Sequence, residues 1–372
     1  MQYTEGYILD DRYLLKSLIG SGSFGEVWVA EDRQTDIEVA VKIYISMDQQ
    51  GLADFKKEFQ VSFGLNHTNL LHANYLGTEA QGNRVYLVMP LCPNGSVSKF
   101  IGNMDENSIW KFIKDVSSGL AYLHSLNPPI IHQDIKPDNI LISKDGDYLI
   151  TDFGISKQLR STLKKSAHHL NSAGAVSYMG PERFSKQYQA VKASDIWSLG
   201  ATIFELATGD LPFCGMGGGM LNNGAEIPSL PEEFSPVLEM VMASCLAKET
   251  WERPTAKQLE EMANGILAGE NPAPTWNCPS AMKLLERNVI DKEQSESDSS
   301  ASIPEATVPL TQHNKGNIGK NTLPVGEAEN ISKEYPAFSQ VSQKLEKNNS
   351  AMMFIAAGVC GLITGILLNL FI

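Results

Sequence analysis

Three glycines in Gly20-Ser21-Gly22-Ser23-Phe24-Gly25 lie between an apolar run, Tyr13 to Ile19, and a second run that opens at Glu26-Val27. Phosphate oxygens crowd any side chain beside them, so a loop that covers a triphosphate uses glycines, whose N–H groups can approach closely. A G-x-G-x-x-G is common by itself. Its dinucleotide-binding form needs a helix to follow, because the helix N-terminus holds the pyrophosphate. Residues 26–30 read instead as a strand, which excludes that form. Downstream, Val39-Ala40-Val41-Lys42 puts a lysine at the end of an apolar strand, where its stem is buried and its ammonium is directed to phosphate. An unpaired charge there costs several kcal/mol, so Lys42 demands a carboxylate, and Glu58 is the candidate. Taken singly, Lys42 also reads as a surface strand residue and Glu58 as a solvated helix charge.

The elements that must hold these residues follow from periodicity. Tyr13–Ile19, Glu26–Ala30, Ile37–Tyr44 and Arg84–Met89 are β-branched or aromatic runs bounded by turns, hence strands. One helix interrupts them, with Phe55, Phe59 and Phe63 at i, i+4 and i+8. Beyond Ser96 the pattern turns helical, over Ile109–Leu126 and again over Asp195–Ala207. A small β-rich lobe, a larger helical lobe and a cleft between them are the expected architecture, an α+β fold.

Composition narrows the class. Acidic residues outnumber basic ones 43 to 30, a net charge of −13, which argues against a nucleic-acid binder. The five cysteines (Cys92, Cys214, Cys245, Cys278, Cys360) are scattered and odd in number, so neither a disulfide framework nor a thiolate metal site is expected. Residues 1–11 lack the basic and apolar regions of a secretory signal. From 271 to 350 the text is polar, with Glu-Gln-Ser-Glu-Ser-Asp-Ser-Ser at 293–300, and reads as a flexible linker in which 280–290 could form a short helix. Residues 351–372 are uncharged and almost wholly apolar; as a helix they would be roughly 33 Å long, enough for a hydrocarbon core of ~30 Å. They read as a transmembrane helix acting as a tail anchor in a lipid bilayer.

The motifs then fall into an order. Gly20/Gly22/Gly25/Val27, Lys42 in V-A-V-K, Ile131-His132-Gln133-Asp134-Ile135-Lys136-Pro137-Asp138-Asn139, Asp152-Phe153-Gly154 and Gly180-Pro181-Glu182 closely resemble the eukaryotic-type protein kinase signature set. Asp195-Ile-Trp-Ser-Leu-Gly200 and Arg253-Pro254-Thr255 extend the match. It implies a bilobal kinase domain over 12–268, divided near 91/92, with ATP and Mg²⁺ in the cleft.

The resemblance also implies roles. Lys42 would bind the α- and β-phosphates and pair with Glu58; Asp152 and Asn139 would hold Mg²⁺; Asp134 would accept the proton of, or orient, the attacking hydroxyl of a protein Ser or Thr; Lys136 would stabilise charge on the γ-phosphoryl group. Gly20, Ser21, Gly22, Ser23, Phe24 and Gly25 would cover the phosphates. Val27, Ala40 and Leu141 would sandwich the adenine, Leu91 and Cys92 would offer it backbone groups, and Met89 would close the back of its pocket. Each of these apolar residues also reads as plain core. Asp195 would brace the catalytic loop, and Glu182 and Arg253 would form a buried ion pair.

Two positions depart from that pattern. Gln133 stands where an arginine usually receives an activation-loop phosphate, a contact glutamine cannot make, so activity is expected not to depend on it. Ala175 stands where serine/threonine kinases carry an orienting threonine. These two support the alternative, a pseudokinase scaffold that binds nucleotide without turnover. The segment from Lys157 to Ser177 carries several basic residues among Ser and Thr, and reads as a solvated loop, or as an autophosphorylation target or a docking surface for acidic substrates. Because ATP and Mg²⁺ are cytosolic and Lys344 and Lys347 precede the apolar run, the catalytic domain is expected on the cytoplasmic side. Ala357, Gly361 and Gly365, spaced by four, would let two such helices pair.

Overall fold

The computed structural model describes residues 3–22, 25–45, 49–79, 84–152, 176–185 and 191–288. The chain divides into two units, Met1–Ile303 and Pro304–Ile372, and every described residue lies in the first.

The small lobe is a six-stranded antiparallel sheet: β1 (Ile8–Leu9), β2 (Tyr13–Gly22), β3 (Gly25–Asp32), β4 (Ile37–Tyr44), β5 (Tyr75–Glu79) and β6 (Arg84–Pro90), in the order β1-β2-β3-β4-β6-β5. One helix, α1 (Gln49–Phe63), packs on it through Phe55, which meets the Tyr44 ring edge-on at 4.7 Å. Phe59 joins this cluster, but Phe63 is exposed. Eight residues turn a helix about 80° past two full revolutions, so the third phenylalanine leaves the sheet-facing stripe.

On the sheet's other side the N-terminal segment adds to the core. Tyr3 and Leu9 are buried with Tyr13, Trp28, Val41 and Tyr86. The phenols of Tyr3 and Tyr7 donate to the two carboxylate oxygens of Glu79, at 2.5 and 2.7 Å, and Tyr86 donates to Asp10 at 2.5 Å. The hydrogen bond to Glu79 pushes the Tyr7 phenol up to about 12. Arg12 forks onto Asp32 with contacts of 2.9 and 2.7 Å and holds that carboxyl down at about 2. Neither β1 nor β5 is visible in the sequence pattern. β5 contains Gly77, which reads as a breaker; a Cβ there would lie 2.0 Å from the Tyr86 ring on the neighbouring strand, so the glycine makes room for it.

The large lobe contains α2 (Glu106–Ser125), the hairpin β7 (Ile140–Ile142) and β8 (Tyr148–Ile150), α3 (Lys192–Thr208), α4 (Gly219–Asn222), α5 (Pro236–Cys245) and α6 (Ala256–Leu267). Both helices expected beyond Ser96 are present, and the hairpin adds to them an element the sequence pattern does not show: two three-residue strands are too short to display a period. Asp105 caps α2 by accepting from the Ser108 N–H at 2.8 Å, and Ser235 caps α5. Helix α3 is buried nearly all round, with Trp197 and Leu199 fully covered.

The short helix allowed over 280–290 is present, but the first part of the 271–350 segment is packed on the lobe rather than a flexible linker. Residues 279–288 are helical, and Cys278, Ala281 and Leu284, three apart, are buried in the large-lobe core. Ser280 donates to Glu252 at 2.6 Å, and Asn288 donates to Glu239 at 2.9 Å. The rest of the linker and the apolar run 351–372 lie outside the described residues. Among the described residues no helix is long and apolar enough to cross a membrane.

Candidate active site

A cleft of about 910 Å³ opens between the lobes. Its roof is the hairpin of β2 and β3, where Gly20 pairs with Val27, Ser21 with Glu26 and Gly22 with Gly25. The three glycines serve different ends. Gly25 has φ +140°, and a Cβ on it would lie 1.9 Å from the Ile43 carbonyl oxygen, so the fold itself requires glycine. At Gly22 a Cβ would meet nothing within 4 Å among the described residues, and at Gly20 only the Val27 side chain, at 3.8 Å. Packing among the described residues therefore demands glycine at neither, and Gly20 lines the cleft. Ser23 and Phe24 lie outside the described residues.

Behind the roof, the apolar residues form one cluster. Ala40, Leu71 and Met89 are buried together, with Val27, Leu91, Cys92, Leu141 and Leu149 packed around them. Val27 and Ala40 come from neighbouring small-lobe strands and Leu141 from β7 of the large lobe, so the cluster has an upper and a lower face. After β6, the Cys92 carbonyl accepts the Gly95 N–H at 3.1 Å, turning the chain toward the large lobe. Burial pushes the Cys92 thiol above its ordinary pKa. Leu71 and Thr151 also line the cleft, and no sequence motif marks them.

Lys42 lies in β4 between Val27 and Leu87 on the flanking strands. Its ammonium donates to Asp152 Oδ1 at 2.5 Å. Glu58 is in α1, and its side chain lies outside what the structure describes. Asp152 sits just past β8 with φ 62°, a left-handed backbone that costs a non-glycine residue on the order of 1 kcal/mol or more.

Below Lys42 is the loop between α2 and β7. The Asn139 amide donates to the Asp134 carbonyl at 2.7 Å and to Asp134 Oδ2 at 2.9 Å. Lys136 Nζ is 3.7 Å from the same Oδ2. His132 accepts the Asp134 N–H at Nδ1 (3.2 Å) and faces the Thr151 carbonyl with Nε2 (2.9 Å), which assigns the proton to Nε2. The histidine therefore ties the loop to the strand leading into Asp152, a link the motif alone does not reveal. Fully buried Asp195 takes the N–H groups of His132 and Gln133 at 2.8 and 2.7 Å. It also lies 2.9 Å from His124 Nε2.

Behind this loop, Arg253 forks onto Glu182 at 3.2 and 2.9 Å. Burial alone would raise the Glu182 carboxyl; Arg253 outweighs it and holds the group below its ordinary range. Ala175 and residues 153–174 lie outside the described residues, so the Phe153-Gly154 pair and most of the segment from Lys157 to Ser177 do too. At its far end, Ser177 donates to the Gly215 carbonyl at 2.8 Å.

The donor set suits a hard cation. Asn139 and Asp152 both line the cleft and offer oxygen, and Mg²⁺ is usually held by one or two such ligands together with substrate phosphates. Among the described residues no cluster of three or more His, Cys, Asp or Glu that could hold a metal ion occurs.

A family model described as protein kinase domain matches residues 13–263. The chain is 33% identical over 260 residues to the serine/threonine-protein kinase dst1 of Dictyostelium discoideum, covering 66% of this chain and 34% of that protein. It is 31% identical over 274 residues to mitogen-activated protein kinase kinase kinase 5 of Arabidopsis thaliana (69% and 37%). It is 32% identical over 270 residues to the serine/threonine-protein kinase PrkC of Bacillus subtilis (68% and 40%). The match spans well under half the length of each of these relatives.

Proposed function

The chain belongs to the protein kinase domain family, and from that premise we propose that it is a serine/threonine protein kinase, moving the γ-phosphoryl group of ATP to hydroxyls of protein substrates. The observation that supports this is that Lys42, Asn139 and Asp152 line one cleft, with Asp134 hydrogen-bonded to Asn139 and Lys136 beside Asp134. Phosphoryl transfer asks for positioning and charge neutralisation rather than covalent chemistry. Lys42 supplies an ammonium to the phosphates, and Gly20 and Gly22 give them room. Asn139 turns the Asp134 carboxylate so that it receives the proton of the incoming hydroxyl. Lys136, on the same side, offsets negative charge as it moves toward that hydroxyl. Asn139 and Asp152 would hold Mg²⁺, which neutralises phosphate charge when bound.

The test is radiolabelled ATP with the full chain, its Asp134→Ala variant and a basic protein substrate. Transfer by the first and not the second is expected. Nucleotide binding without transfer by either would sink the proposal and favour the scaffold reading that Gln133 and Ala175 support.

We also propose that residues 351–372 anchor the chain in a bilayer, with the catalytic lobes in the cytoplasm; the support is the uncharged apolar run and the lysines at 344 and 347. Release of the full chain by alkaline carbonate washing would count against it. Pairing through Ala357, Gly361 and Gly365 is tested by crosslinking the Gly361→Leu variant, where undiminished dimer would remove the idea.

A further inference from the structure

We propose that Arg183 is a positioning residue for the catalytic loop, pinning the carbonyl that precedes Asp134. This rests on the kinase reading above for its catalytic consequence, though not for its geometry. Gln133 has φ 65°, a left-handed conformation unfavourable for a residue with a side chain, and it immediately precedes Asp134. A backbone in that state relaxes unless it is held at both ends. One end is the Gln133 N–H, bonded to Asp195 Oδ1 at 2.7 Å. The other is the Gln133 carbonyl, which accepts from Arg183 Nη1 at 3.0 Å. Rotation of the peptide between Gln133 and Asp134 would break the Arg183 contact first and swing the Asp134 carboxylate off its bond with Asn139.

Arg183 can hold the loop because its own backbone is fixed. It sits in the short helical turn Pro181–Phe184, and its neighbour Glu182 is clamped by Arg253. Asn222 donates to the Pro181 carbonyl at 3.2 Å. A Cβ at Gly218 would lie 2.4 Å from Pro181, and one at Gly219 would lie 3.2 Å from the Phe184 ring, so the turn is seated against these glycines without slack. The guanidinium thus joins a rigid platform of the large lobe to the residue adjoining the proposed base. A guanidinium at this place is also notable because residue 133, where the family resemblance puts an arginine, is glutamine. The charge comes from position 183 and acts on the main chain.

The experiment compares the full chain with Arg183→Met, which keeps length and loses the donor, and Arg183→Lys, which keeps a donor. Expected for Arg183→Met are a roughly tenfold lower kcat, the scale of one charge-assisted hydrogen bond, and an unchanged Kd for a fluorescent ATP analogue. Amide exchange across 131–139 should be faster, and Arg183→Lys should recover most of kcat. A kcat within twofold of the parent overturns the proposal. So does a loss shared equally by nucleotide affinity and melting temperature and not relieved by lysine, which would make Arg183 merely structural. Were the parent chain to transfer no phosphate, the kinase reading would fall by itself, and unchanged exchange across 131–139 would still refute the positioning role.

Discussion

The ammonium of Lys42, in the middle of a small-lobe strand, stands 2.5 Å from the carboxylate of Asp152, which follows the large-lobe hairpin 110 residues later. This ion pair therefore bridges the cleft at the place where phosphates would bind. Lys42→Met should lower kcat/KM for ATP by about 100-fold or more, because charge stabilisation in a water-poor site is the largest contribution to such catalysis. Asp152 retains partial solvent access, so the melting temperature should change little. Calorimetry and steady-state kinetics on the same preparation check both halves.

The roof glycines should separate binding from folding. Gly22→Val adds a side chain where no described residue comes within 4 Å, so it should weaken ATP binding while leaving stability nearly constant. Gly25→Ala, at φ +140° and against the Ile43 carbonyl, should destabilise the small lobe by about 1–3 kcal/mol. Urea unfolding and nucleotide titration of the two variants should give opposite patterns.

Acid should find the Arg12–Asp32 brace. The folded Asp32 carboxyl is held at about 2, below its ordinary value of 3.8, so its contribution to stability is complete above pH ~4 and disappears as pH falls toward 2. The gap in denaturation midpoint between the parent and Asp32→Asn should be constant from pH 7 to about 5 and shrink below about 4. A gap that widened with acid would contradict the assignment.

Ending the chain at 268 should expose the large-lobe core where Cys278, Ala281 and Leu284 now lie. Burying side chains of this kind stabilises by roughly 1–3 kcal/mol each for the larger ones, so the truncated domain should melt several degrees lower than one ending at 288. Equal melting temperatures would mean that this segment only rests on the lobe.

Much of the site was legible because its determinants are local. β4 was bounded to the residue from its apolar run, and the buried helix α3 was visible within three residues at its N-terminal end and one at its C-terminal end. Lys42, Asp134, Asn139 and Asp152 were marked by the motifs around them. The same reading missed β5, whose Gly77 serves a tyrosine on the next strand, and it allowed a short helix over 280–290 without foreseeing that it packs on the lobe, because its three buried residues are embedded in polar text.

By itself, then, the amino-acid order determined which residue types stand ready for phosphate chemistry and which stretches alternate or wind, because periodicity and turn chemistry act over a few residues. Only the tertiary structure decided which of those groups meet. His132 finding the Thr151 carbonyl, Arg183 reaching Gln133 across 50 positions, and Lys42 facing Asp152 are products of core packing between distant elements, and packing leaves no local trace.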